Sequence, residues 1–262
     1  MSVSRALRAA VEGGQIYLGL LVLLGLWELA CRQLSLPPWL LPPPSQIAAE
    51  TWELRGILPA HLLATAKEIL GGFLLATLAG VPLAVAVVYS PLLRRMIYPL
   101  LLMLQSIPKV AIAPILLLWV GYGLVSNMIV AATVAFFPIV VNTATGLESV
   151  DAELLELTRS LGASKLRVLL RVRLPWSLPF LFSGLKVAIT LAVIGAIVAE
   201  FIGADKGLGY LILTSSGAMR TAVMFGVLLL LSVLGTLCFY AVVMLERILC
   251  PWYMAKADRA GL

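Results

Sequence analysis

The polar residues of this 262-residue chain are few, and their types suit recognition better than bond-making. The densest group runs Glu156-Leu157-Thr158-Arg159-Ser160-Leu161-Gly162-Ala163-Ser164, with Leu174-Pro175 nine residues further on. A carboxylate, several basic side chains and two leucines at helical spacing can make ion pairs and apolar contacts with another protein. A second group is scattered through apolar sequence: Gln105, Ser106, Lys109, Asn142, Thr143 and Glu200. Charge at membrane depth is costly, so each is a candidate lining residue of a solute path. Lys109 could attract an anion, or snorkel and bond carbonyls freed by the neighbouring prolines. Asn142 and Thr143 could line the same path or hydrogen-bond across helices. Glu200 could serve an outer gate or pair with Lys206. No catalytic residue is expected. His61 stands alone as an interfacial residue, and Cys31, Cys238 and Cys250 have no metal-ligand spacing. No Gly-x-x-x-x-Gly-Lys-Ser/Thr loop occurs, and Gly203–Gly209 is too short to replace one, so no metal or nucleotide site is expected.

The elements that must position these residues follow from composition. Apolar residues make up 61% of the chain and charged ones 12%, about half of what a soluble domain carries. Ile69–Leu93, Val110–Leu147 and Thr221–Leu245 hold no Asp, Glu, Lys or Arg. A helical span needs about 20 such residues. The pattern predicts an all-α integral membrane protein with six spans near 15–31, 61–89, 96–120, 125–147, 177–201 and 221–247. Basic residues set the orientation. With both termini in the cytoplasm, that side collects Arg5, Arg8, Arg94, Arg95, Arg159, Lys165, Arg167, Arg171, Arg173, Arg247, Lys256 and Arg259. The net charge of +6 is then topology and attraction to lipid, with no nucleic acid implied. The expected division is a cytoplasmic tail (1–14), a first span with an outward linker and surface helix (15–60), a core permease domain (61–250) and a second tail (251–262). Arg5 and Arg8 before an apolar stretch resemble a signal peptide, but an uncleaved first span is expected.

Leu36-Pro-Pro-Trp-Leu-Leu-Pro-Pro-Pro44 must be extended, and Ser45 is expected to cap a short surface helix. Pro99, Pro108 and Pro114 should kink the third span and Pro138 the fourth, which suits helices inside a bundle or beside a cavity. Residues 150–175 form an elbow between the fourth and fifth spans. Its first helix ends at Gly162, which accepts a positive φ, and its second is capped by Ser164 and closed by Pro175. Glu28 is expected to pair with Arg32, and Lys186 to snorkel inward.

The elbow resembles the signature of permease subunits of type I ABC importers: a Glu-Ala-Ala triplet, three residues, Gly, nine residues, then Ile-x-Leu-Pro. Here Glu156-Leu157-Thr158 fills the triplet, Gly162 the glycine and Val172-Arg173-Leu174-Pro175 the end, with both alanines replaced. Ser106-Ile-Pro-Lys-Val-Ala-Ile-Ala-Pro114, Leu118-Trp-Val-Gly-Tyr-Gly123, Phe136-Phe-Pro-Ile-Val-Val-Asn-Thr143 and Ala199-Glu-Phe-Ile-Gly-Ala-Asp-Lys-Gly-Leu-Gly209 are similar to the nitrate/sulfonate/taurine/bicarbonate branch. Riboflavin- and thiamine-precursor importers resemble that branch too. The resemblance implies a bacterial inner-membrane permease acting as a pair, usually with a second copy of itself. It implies a separate cytoplasmic ATPase that holds ATP and Mg, and a periplasmic or lipid-anchored substrate-binding protein. Glu156, Leu157, Leu161, Gly162, Ala163, Ser164 and Pro175 would form the ATPase-coupling surface. The substrate would be a small anion (sulfonate, nitrate, taurine, bicarbonate) or a vitamin or its precursor. The alternatives are an ion-coupled secondary carrier, which would want paired intramembrane carboxylates that the core spans do not reveal, and an integral membrane enzyme.

Overall fold

The computed structural model describes residues 18, 19 and 21–252, apart from the side chains at positions 98, 101, 102, 104–106 and 109. The expected N-terminal tail, and all but the first two residues of the expected C-terminal one, lie outside the described residues. Among the described residues every regular element is a helix. The chain divides into two compact units, residues 1–59 with 211–230 and residues 60–210 with 231–262.

The first unit contains helix α1 (residues 21–33), the proline-rich linker and helix α2 (Pro44–Glu53). Ser45 does not cap α2 as expected. Pro43 holds the cap position and Pro44 the first turn, where a missing N–H costs nothing. Ser45 instead turns towards α1. Its N–H (3.0 Å) and Oγ (2.7 Å) donate to the Glu28 carboxylate, which also accepts from Arg32 Nε at 2.7 Å. The expected Glu28–Arg32 pair is therefore present and has a second task, fastening the linker. At the other end of the linker, Thr221 Oγ1 donates to the Trp39 carbonyl at 2.8 Å. Trp39 and Trp52 are exposed, as interfacial tryptophans are.

The second unit is built around helix α6 (Leu124–Glu148), which lies along α9 (Leu174–Gly203). Small residues permit that closeness. A Cβ on Gly195 would sit 2.7 Å from the Ala131 Cα, so any side chain there would force the two backbones apart. Helix α3 (Leu58–Tyr89) contributes the fully enclosed Ile69, and Leu117, Ile139, Leu147 and Ile189 complete the interior.

Among the described residues, four helices are long and apolar enough to cross a membrane: Leu58–Tyr89, Leu124–Glu148, Lys165–Gly203 and Thr221–Leu249 (α11). They correspond to the expected second, fourth, fifth and sixth spans. The third, expected as one kinked helix over 96–120, is broken. Helix α4 (Pro91–Ser106) stops, Ile107 is extended (φ −77°, ψ 129°), and a 3-10 turn (Lys109–Ile112) leads into α5 (Ala113–Val120). A residue before proline is pushed out of the helical region, so Pro108 breaks the helix where a kink was expected. Residues 204–207 form an irregular turn after α9, and helix α10 (Leu208–Gly217) follows it.

Candidate functional site

The elbow begins with α7 (Ala152–Ser160), with Glu153 in its first turn and Arg159 in its last. Both charges oppose the helix dipole at their ends. Gly162 has φ +70°, its N–H donates to the Arg159 carbonyl (2.9 Å), and Ala163 N–H donates to Thr158 (3.1 Å). This 6→1 and 5→2 pair is a Schellman ending, and it requires the left-handed residue that Gly162 supplies. Ser164 then caps α8 (Lys165–Val168), its Oγ accepting from Arg167 N–H at 3.4 Å. Leu157 is 56% exposed and Leu161 76% exposed, so neither packs on the base of its own chain. Glu156 is also exposed.

Pro175 does not close the elbow as expected. A π-turn (Leu169–Arg173) joins α8 to α9, and Lys165–Gly203 is one continuous helix with Pro175 inside it. The wide turn just before Pro175 accommodates a ring that clashes with a regular helix. Arg173 Nη1 donates to the Leu147 carbonyl at 3.1 Å, which satisfies the last turn of α6 and anchors the elbow to it.

The expected path residues do not gather in one place. Gln105 and Ser106 end α4 and Lys109 opens the 3-10 turn, and their side chains lie outside the described structure. Asn142 Nδ2 donates to the Pro138 carbonyl of its own helix at 2.8 Å, not across a helix contact. Thr143 is fully buried, and its Oγ1 has no partner among the described residues.

Glu200 pairs with something other than Lys206. It is 1% exposed, accepts from Thr65 Oγ1 on α3 and also accepts the Gly209 N–H. Thr65 Oγ1 in turn accepts Leu208 N–H at 2.8 Å, and His61 Nδ1 accepts Gly207 N–H at 3.0 Å. Gly207 has φ +126°, and any Cβ there would collide with the Glu200 carboxyl. Beside Glu200 lies a second buried carboxyl that sequence reasoning missed. Glu68 is 3% exposed, accepts from Asn127 Nδ2 at 2.8 Å and lies within hydrogen-bonding reach of Glu200. The core spans do hold paired carboxylates, contrary to expectation. The pair adjoins a cavity of about 720 Å³ lined by Lys67, Glu68, Tyr122, Asn127, Asp205 and Lys206, among others. Lys186 does not snorkel. Its Nζ is 2.9 Å from Glu246 Oε2 on α11. Among the described residues no group of His, Cys, Asp and Glu is arranged to hold a metal.

The family model of the binding-protein-dependent transport system inner membrane component matches residues 72–249, more than half of the chain. The formylaminopyrimidine transport permease ThiX of Halalkalibacterium halodurans is 39% identical over 233 residues, covering 88% of this chain and 93% of that one. The riboflavin transport system permease RibX of Chloroflexus aurantiacus is 35% identical, covering 89% and 88%. The fold is similar to that in the MetNI methionine ABC transporter in an inward facing conformation. The TM-score is 0.65 at 23% identity, over 75% of this chain and 98% of that one.

Proposed function

This chain belongs to the family of binding-protein-dependent transport system inner membrane components, the multi-pass permease subunits of ABC importers, and from that premise we propose that two copies line a solute path driven by a separate cytoplasmic ATPase. In this reading α1 and the α4–α5 segment complete a six-span topology with both termini in the cytoplasm. The elbow docks into the ATPase, and an external binding protein delivers the solute. ATP and Mg stay on the ATPase. Closure of the ATPase pair pushes the elbows and rocks the helices between inward- and outward-facing states, a rigid-body switch between two packed arrangements.

The observation that carries the proposal is the elbow itself. Two large apolar side chains, Leu157 and Leu161, stand exposed beside Glu156 on a helix ended by a fixed Schellman turn, between two spans. Such a surface is complementary to a protein cleft. The secondary-carrier alternative draws on the Glu68–Glu200 pair. That pair is tied into backbone, hydroxyl and side-chain amide donors that hold α3, α6, α9 and the 207–209 turn together, which supports a structural role.

For the substrate we favour a vitamin or vitamin precursor, because relatives above a third identity carry formylaminopyrimidine and riboflavin in their names. A small anion is the second reading, favoured by Lys67 and Lys206 at the 720 Å³ cavity. The test is co-expression with candidate ATPase and binding-protein chains, mild-detergent purification and native mass spectrometry. Two permeases with two ATPases are expected, followed by uptake of labelled precursor. A permease that stays alone under every nucleotide condition would refute the coupling.

A further inference from the structure

We infer that the cavity behind the elbow is a binding site for a phosphate-class anion. The cavity measures about 230 Å³, and the end of α3, α7, α8 and the π-turn enclose it. Its lining includes Arg159, Lys165 and Arg173, together with Tyr89 and Thr158, and no acidic residue. Among the described residues, Arg159 and Lys165 make no ion pair and no side-chain hydrogen bond. Arg173 spends one N–H on the Leu147 carbonyl and stacks over the Tyr89 ring at 5.5 Å, leaving its other donors free. The Tyr89 hydroxyl is buried without a hydrogen-bond partner.

Three cations and an unsatisfied phenol around one cavity lack only an anion. A buried hydroxyl left unpaired is a cost that a ligand oxygen would remove. The donors come from four elements and outnumber what the two oxygens of a carboxylate can accept. A phosphate group offers more oxygens in more directions and suits arginine forks. The space is several times the roughly 30 Å³ of one water, so the anion can enter with solvent. Two sources carry this chemistry, free inorganic phosphate and the headgroup of an anionic phospholipid in the cytoplasmic leaflet. Either would bridge α7 and α8 to the end of α3 and stiffen the elbow. The inference holds whether or not the elbow docks an ATPase.

The test uses the full chain in nanodiscs of neutral lipid. Thermal unfolding is followed with inorganic phosphate against chloride at matched ionic strength. In parallel, phosphatidylglycerol retained by the protein is counted by native mass spectrometry. The wild type should be stabilised by phosphate, or retain the lipid. The apparent affinity should be about tenfold weaker in the R159Q/K165Q double variant and about threefold weaker in Tyr89→Phe. An effect of phosphate alone identifies a soluble anion, and an effect of the lipid alone a headgroup. Equal effects in wild type and variants would mean an adventitious ion only and would overturn the site, as would no effect from either probe. Should the double variant fail to insert, Tyr89→Phe, which removes one oxygen, carries the test.

Discussion

At the scale of single residues, the Glu68–Glu200 contact defines what its position tolerates. Glu200 has donors from Thr65 and the Gly209 backbone, and Glu68 Oε1 has Asn127, but Glu68 Oε2 has no donor. The contact therefore needs a hydrogen that neither the hydroxyl nor the backbone supplies. An amide at position 68 brings one. Glu68→Gln should leave thermal stability within about 1 kcal/mol, whereas Glu68→Ala, which strands the buried Asn127 amide, should cost about 1–3 kcal/mol. Equal losses in the two variants would disprove this hydrogen-bond assignment. Lys186 and Glu246 give a second residue-scale prediction. Lys186→Met leaves Glu246, 3% exposed at its side chain, without its partner. A fully buried pair loses roughly 3–5 kcal/mol on such a change, and the 29% exposure of the lysine reduces this to about 1–3. The K186M/E246M double variant should recover most of the loss in a thermal melt. Neither pair was legible in the sequence. Glu68 sits next to Lys67 near the start of one span, and Glu246 next to Arg247 near the end of another, so each reads as a solvated flank. Only packing between helices far apart in the chain turns these carboxylates inward.

Elements were more legible where the signal was local. The Gly162 ending and the Ser164 cap both follow from residue type within one turn, and the structure has both. The break at Ile107–Pro108 and the passage of Pro175 inside a helix were not legible. Proline fixes its own φ but does not say whether a helix bends, stops or absorbs the ring in a wider turn. At Gly162 the prediction is conformational, because a Cβ there meets no atom within 4 Å. Gly162→Val should strain the left-handed turn and uncouple ATP hydrolysis from uptake while insertion is kept. Gly162→Asn, which tolerates that region, should retain most of the coupling. Normal uptake by the valine variant would remove the elbow from the mechanism.

At the scale of the whole molecule, four of the spans and the family were legible because hydropathy and the elbow spacing are properties of long windows. The partner surface is testable there. Burying one leucine contributes about 1.5–3 kcal/mol, so the L157D/L161D double variant should weaken ATPase association about a hundredfold or more. Co-purification would be lost while membrane insertion stays intact, and undiminished co-purification would place the interface elsewhere. The continuous helix from Lys165 to Gly203 carries one further consequence. Its 39 residues span about 58 Å, with the elbow at one end and Glu200 near the other. A tilt of about 5° at the elbow end would sweep the far end by about 5 Å, close to the pitch of one helical turn, as a lever does. At that end Glu200 is clamped by Thr65 and the Gly209 backbone, so the lever's stroke and the breaking of that clasp would be the same event.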